Sequence, residues 1–487
     1  WVALTIQWTM AVAGLIVGLF IAPKWHRTGS LTVAEYINKR LGVSTQKIYT
    51  YLFLFISLFL TASFLYPVAK IVEVSTGIDL NLCIIFLGVF CVLYVSAGGL
   101  WAVVSTDILQ FIVLIAAVII VIPLSIDKVD GLVNFAVKAP DTFFNAFNAE
   151  YTFTFITAFG IYNTIFLGGN WAYVQRFTCV RTASDSRKVG LFFSALYFIA
   201  PVLWMLPPML YRVYNPSLGL IEAEGAYLMM CKEVLPRGVM GLMIGGMIFA
   251  TTSAMNSKLN IASGVITNDI FKRLKPNSSD KRLMLAARIS TVVFGVLSIL
   301  IALLIPKMGG VVNVVISLAA LTGVPLYLPV IWTLFSKRQT AFSVLTATIL
   351  GLIVNGIFKF ITPLFFDLSL NRTEEMLLGV TFPILCMTVF EIWYITKKRI
   401  SSQFDTYKRW ENENQEKRDK ISEEEIQFSR SENKYSMRVI GYGVSFIGLT
   451  IAVLGLLTPA YKIFVTGTGV FFILMGIILM RSSSTGS

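Results

Sequence analysis

Apolar residues in this chain collect into runs of about 20, the length that crosses a hydrocarbon core as a helix rising 1.5 Å per residue. Thirteen runs are read, at about 1–22, 48–70, 78–97, 104–126, 151–173, 190–211, 238–262, 283–305, 311–334, 341–366, 376–396, 437–457 and 460–480. None has the alternating apolar–polar pattern of barrel strands, so the pattern predicts an all-α polytopic membrane protein embedded in a lipid bilayer. One connection is long and polar. From Lys397 to Arg438 the chain is mixed in charge (WENENQEKRDKISEEEIQ) and has no deep apolar stripe. It reads as a solvated helix, with a regulatory element as the alternative.

Against this apolar background the polar exceptions carry the information, because polar groups at membrane depth are costly to keep. The fourth run opens with GGLWAVVSTDILQ, which sets Asp107 near a boundary beside Ser105 and Thr106. Hard cations such as Na⁺ take oxygen ligands of this type; an interfacial carboxylate is the plainer reading. The seventh run is richer: GLMIGGMIFATTSAMNSKLNIASGVITNDIF. Ser253, Asn256, Ser257 and Asn260 recur at three- and four-residue steps and so share one helix face. Such a face either glues helices together or lines a path for a cation or solute. Lys258 lies on the same helix and needs a carboxylate, water or a lowered pKa. The fifth run is interrupted at Gly168-Gly169-Asn170, just before Trp171 and Tyr173. Broken helices with free backbone groups are how transporters build midplane sites, and those aromatics suit a sugar or another small polar solute. An interfacial aromatic belt is the competing reading for Trp171.

Composition agrees and adds orientation. Hydrophobic residues make up 56% of the 487 and charged residues 14%, below the quarter or so of soluble domains. The net charge of +13 could point to nucleic acid, but its distribution decides otherwise. Alternate connections hold five Lys and Arg (Lys24 to Lys47), none (around Gly98), four, six, two and eleven; with Arg481, this face holds 29 of the 40. The opposite segment Asp127 to Glu150 holds four carboxylates and two lysines. The positive-inside rule then places the basic face and the C-terminus in the cytoplasm, and nucleic acid is not a partner. The five cysteines show no paired short spacing, and the single histidine, His26, cannot build a multi-histidine site, so no cofactor or resident metal is read. No paired carboxylates face one cavity, so no enzyme is read.

Three passages, GGLWAVVSTDILQ at 98–110, NWAYVQRF at 170–177 and ATTSAMNSKLNIASGVITNDIFKRL at 250–274, resemble the sodium:solute symporter family of sodium–glucose, proline and pantothenate transporters. The resemblance implies a LeuT-like fold of two inverted five-helix repeats. The stretch VAEYINKRLG at 33–42 resembles the passage before core helix three, so the first run corresponds to core helix two. Core helix one is then expected outside this numbering. Residues 1–336 would form the transporter core, 337–396 peripheral helices, 397–438 the charged cytoplasmic segment, and 439–487 two further peripheral helices with a short tail.

The resemblance also implies site residues. Ala250 (backbone oxygen) and Ser253 (hydroxyl) match sodium ligands; Asp107, Asn256 and Ser257 match positions that serve a second cation in some members. Ala254 stands where the family usually has a hydroxyl ligand, and Lys258 is a second departure, an ammonium able to replace a cation. Gln7, Asn170 and Tyr197 match solute-contacting positions, flanked by Trp171 and Tyr173. The implied function is sodium-coupled uptake of a small polar solute, a sugar first, by alternating access at the plasma or inner membrane. A proton-coupled or sodium-independent carrier using Lys258, and a membrane sensor without transport, are the alternatives.

Overall fold

The computed structural model describes residues 1–487 apart from 31, 220–221, 309, 420–422, 458–460 and 486–487, and apart from the side chains of 97–109, 111, 222, 224, 237, 250–251, 416–436 and 482–485. The described residues contain helices and no strand. In chain order these are α1 (Val2–Arg27), α2 (Val33–Leu41), α3 (Val43–Thr76), α4 (Leu80–Lys128), α5 (Leu132–Lys138) and α6 (Phe153–Gly169). Next come α7 (Trp171–Thr178), α8 (Ala183–Tyr214), α9 (Ala226–Val234), α10 (Gly238–Leu274), α11 (Asp280–Ala302) and α12 (Val311–Thr333). The last are α13 (Ala341–Phe365), α14 (Arg372–Thr396), α15 (Phe404–Asp419), α16 (Glu423–Leu457) and α17 (Lys462–Thr485).

Among the described residues, ten helices are long and apolar enough to span a bilayer, and the bent pair Ile112–Lys128 with Leu132–Lys138 makes an eleventh. Two shorter apolar helices, Leu80–Ser96 and Phe153–Gly169, cover the third and fifth runs. Every run read from the sequence therefore falls on one of these elements. The turn read around Gly98 falls inside α4, whose backbone is helical from Leu80 to Lys128.

The chain divides into two compact units. One holds Trp1–Ile56, Thr142–Val202 and Met308–Lys420; the other holds Ser57–Asp141, Leu203–Lys307 and Ile421–Ser487.

In the first unit, α1 rests on α6, and α12 and α14 pack on α6 as well. The first part of α8 crosses α1 at contact distance because both helices offer glycine there. A Cβ on Gly190 would lie 2.4 Å from the Gly18 Cα, and any side chain would force the helices apart. Serines tie the crossing: Ser194 Oγ donates to the Ala11 carbonyl (2.6 Å) and Ser186 Oγ to that of Ala22 (2.9 Å). Widened π turns occur at Val17–Ile21, Ala319–Gly323 and Ile357–Ile361. Each is followed within two residues by a proline, Pro23, Pro325 or Pro363, which lacks the N–H a regular turn would use.

The same unit seats the polar helix α15 on α2. Tyr36, fully buried, meets the Tyr407 ring edge-on at 5.6 Å and shares a 2.8 Å hydrogen bond with Thr333. Arg40, also fully buried, donates to Ser401 and to the Ser336 carbonyl, with its guanidinium over the Phe404 ring. Burial pushes its pKa below the ordinary value, against the opposing pull of Tyr36 and Tyr407. Part of the segment read as solvated is thus docked, by an aromatic face (Phe404, Tyr407) too short to stand out among its charges.

In the second unit α10 lies along α4, and α11 packs on both. Helices α16 and α17 form a hairpin whose close approach has a seven-residue glycine spacing: Gly441, Gly448 and Gly455 on one helix, Gly469 and Gly476 on the other. A Cβ on Gly448 would come within 2.6 Å of the Ile473 nitrogen. Val444, Ile451, Val465 and Phe472 of this hairpin join Ala116, Ile120 and Val121 of α4 and Val239 and Met243 of α10 in one buried cluster.

Candidate functional site

The candidate residues fall into two groups, one in each unit. In the first unit the fifth run breaks where the glycines and asparagine were read as an interruption. Helix α6 ends at Gly169, Asn170 adopts an extended backbone (φ −67°, ψ 129°), and α7 starts at Trp171. The break forms because Asn170 caps the new helix: its side-chain oxygen accepts from the Ala172 N–H at 3.1 Å. Its amide nitrogen donates to the Tyr327 hydroxyl at 3.1 Å, and the residue is 1% exposed. Gly169 is required beside it, since a Cβ there would lie 2.6 Å from that of Tyr327. Asn170 therefore works first as architecture, with one amide hydrogen still to give.

Around the break the aromatics are coupled. The Trp171 ring stacks on Phe53, centroids 4.2 Å apart and planes 4° from parallel, so one indole face is already covered. Tyr173 meets Phe166 and Phe193 edge-on, and Phe193 stacks on Tyr197 at 5.0 Å. Tyr173 and Tyr197 are thus brought together through Phe193. Gln7 on α1 is half-buried; its neighbour Trp8 stacks on Phe198, one residue beyond Tyr197, at 5.7 Å. A ladder of rings, Phe155, Phe159, Tyr162 and Phe166, runs along α6 toward Tyr327. The sequence reading missed Phe53, Phe193 and Tyr327. Phe193 and Tyr327 sit in runs that look uniformly apolar, and only packing sets them beside the break.

In the second unit α10 carries Ala250, Ser253, Asn256, Ser257 and Lys258. The side chain of Ala250 and that of Asp107 on α4 lie outside the described residues. Asn256 is fully buried, and neither its amide oxygen nor its amide nitrogen has a hydrogen-bond partner among the described residues. Ser253 and Ser257, on the same face, are half-buried, as is Lys258, which is engaged. Thr252 turns inward, its hydroxyl donating to the Ile248 carbonyl at 2.6 Å.

Asn256 and Thr252 open onto a cleft of about 550 Å³ whose walls include Phe90, Tyr94 and Phe249. Gln110, the last residue of the GGLWAVVSTDILQ passage, lines the same cleft, and its side-chain oxygen is likewise unpartnered among the described residues. Two passages picked from distant parts of the chain therefore meet, through a residue the sequence reading did not single out. Its glutamine was visible in the motif, but nothing in one sequence distinguished it from an interfacial polar group.

The residue types on this helix face are of the class a sodium ion takes. An amide oxygen and serine hydroxyls are the hard oxygen ligands an alkali cation takes, and a buried amide oxygen left unpaired costs roughly 1–3 kcal/mol. Among the described residues no group of three His, Cys, Asp or Glu could hold a metal.

The sodium:solute symporter family profile matches residues 1–351. The chain belongs to the sodium:solute symporter family. It is 26% identical over 411 residues to a sodium/glucose cotransporter of Vibrio parahaemolyticus, covering 77% of this chain and 74% of that one. It is 25% identical over 396 residues to solute carrier family 5 member 4B of Mus musculus, covering 72% of this chain but only 60% of the mouse protein's length. Among solved structures it is similar to the substrate-bound outward-open state of a Na⁺-coupled sialic acid symporter, with TM-score 0.63 and 22% identity, over 80% of this chain and 83% of that one. The fold is thus LeuT-like, and this family member is a multi-pass membrane protein whose relatives are transporters rather than enzymes.

Proposed function

We propose that this protein couples entry of Na⁺ to uptake of a small polar solute, a sugar first, by alternating access. The observation that carries the reading is Asn256: a fully buried amide with both polar atoms unpartnered among the described residues, on a helix face shared with two serine hydroxyls. The family and the sodium/glucose names of relatives support it.

In this reading the Ala250 carbonyl and the Ser253 hydroxyl hold one sodium. Asn256, Ser257 and Asp107 serve a second cation position, and Lys258 tunes the charge there. Gln7, the free hydrogen of Asn170, Tyr173 and Tyr197 contact the solute, and Trp171 offers its uncovered face. Ala254 removes one hydroxyl ligand relative to the family pattern, which weakens the site. The basic face, with the C-terminus, lies in the cytoplasm and the chain resides in the plasma or inner membrane, on the asymmetry of 29 of 40 Lys and Arg, a count that takes the third and fourth runs as two crossings although both lie on α4.

The energetics suffice. A membrane potential of 100 mV supplies about 2.3 kcal/mol per charge, and a tenfold sodium gradient about 1.4 kcal/mol, together sustaining accumulation of several hundredfold per sodium. Solute uptake into proteoliposomes, driven by sodium or by potassium gradients, tests the proposal. Accumulation with sodium alone is expected. Accumulation indifferent to sodium overturns it in favour of a carrier in which the Lys258 ammonium takes the cation's place.

A further inference from the structure

A second cleft, of about 640 Å³, lies wholly within the first unit on its basic face. Five chain segments build it: the end of α1, Tyr36 of α2, residues 333–338 at the end of α12, Glu391 of α14, and the α15 helix. Lys24 and Arg27 come from the first, Lys337 and Arg338 from the third, Lys408 from the last. Two carboxylates, Glu391 and Glu411, also line it, which leaves three positive charges in excess.

The carboxylates are already occupied. Glu391 accepts from the Trp332 indole (3.2 Å), Ser336 (2.9 Å) and Gln339 (2.7 Å), with Arg338 at 3.8 Å. Glu411 accepts from Tyr407 at 3.0 Å and pairs with Lys408. The Lys24 ammonium sits 4.2 Å from the Phe335 ring centroid. Arg27 and Lys337 are exposed, and among the described residues neither side chain has a carboxylate partner. Beneath the cleft, Arg40 adds a buried guanidinium whose Nε is unpartnered and which has no ion pair among the described residues.

Cations gathered this closely repel one another unless an anion joins them, and a low-dielectric wall strengthens both effects. Guanidinium forks and ammonium groups around one space match a group with several anionic oxygens, and the volume suits a small ligand. We propose that this cleft binds a phosphate-bearing anion, bridging α1 to α15 through Arg27, Lys337 and Lys408. The inference is independent of the solute carried, and its failure leaves the transport reading untouched.

The source of the phosphate is either a soluble ion or a lipid headgroup, and two arms separate them. The full chain in phosphatidylcholine nanodiscs is titrated with inorganic pyrophosphate by calorimetry. In parallel, its thermal unfolding is compared in phosphatidylcholine nanodiscs with and without phosphatidylglycerol. Saturable binding in the first arm identifies a soluble phosphate; a higher unfolding temperature with phosphatidylglycerol identifies a headgroup. The affinity behind either response is expected to weaken about tenfold in Arg27→Gln/Lys337→Gln, from two exposed charge contacts of somewhat under 1 kcal/mol each. It should persist in the charge-keeping Arg27→Lys/Lys337→Arg variant and in Lys281→Gln, an exposed cation of the other unit. It should also fall as salt rises. No response in either arm, or an equal response from the glutamine double variant and the native chain, overturns the proposal.

Discussion

Two asparagines, both all but inaccessible, separate the two regions of this protein. Asn170 in the first unit is 1% exposed, and its side chain both accepts from a helix N-terminus and donates to a tyrosine. Asn256 in the second unit is fully buried and uses neither amide atom among the described residues. A buried amide that is bonded on both sides has been recruited to hold the backbone; one that is unbonded spends stability for some other purpose. Burial and residue type are alike at the two sites. The hydrogen-bond inventory is what divides an architectural polar group from a candidate ligand.

That contrast can be broken by experiment. Asn170→Ala removes a cap and strands the buried Tyr327 hydroxyl, so it should destabilise the protein by about 2–4 kcal/mol, read from thermal unfolding in detergent. If its unfolding temperature is unchanged, Asn170 is not the architectural member of the pair. Next, Gly190→Ala should cost about 1–3 kcal/mol, because the new methyl meets the α1 backbone and the crossing must open. A neutral result would mean that α8 can slide without penalty and that the first unit is less rigid than its contacts suggest.

Asn256→Leu tests the other side. Replacing an unpaired amide by an apolar group of similar size should leave stability level or slightly higher, while sodium-driven uptake falls about tenfold. A loss of stability with uptake intact would reverse the assignment of the two asparagines. The smallest effect is expected from Ser253→Ala, which removes one hydroxyl oxygen and should raise the sodium concentration for half-maximal uptake by about threefold to tenfold, on the order of 1 kcal/mol. An unchanged sodium dependence would take Ser253 out of the cation set and leave Asn256 to carry it.

Much of this was legible along the chain. The thirteen apolar runs all fall on helices, the third and fourth sharing α4, because the membrane imposes a length of about 20 residues on a spanning element and forces its backbone bonds inward. The break at Asn170 was legible because Gly-Gly-Asn combines a poor helix interior with a good cap. The shared face of Ser253, Asn256 and Ser257 follows from helical periodicity alone. The docking of α15 was not legible, because Tyr407 and Phe404 are two aromatics in a charged stretch until Tyr36 and Arg40 of α2 come beneath them. Nor was the position of Gln110, which lines the same cleft as Asn256 only because α4 lies along α10.

By itself, then, the sequence determined the class, the helices, the distribution of charge and the polar minority worth attention, since these rest on local periodicity and on what a bilayer tolerates. Only the tertiary structure decided which polar atoms were satisfied. A hydrogen bond between Asn170 and Tyr327 closes over 157 positions of chain, and the absence of one at Asn256 is defined only once its neighbours are in place. Satisfaction is a property of packing, and packing is what a linear pattern leaves open.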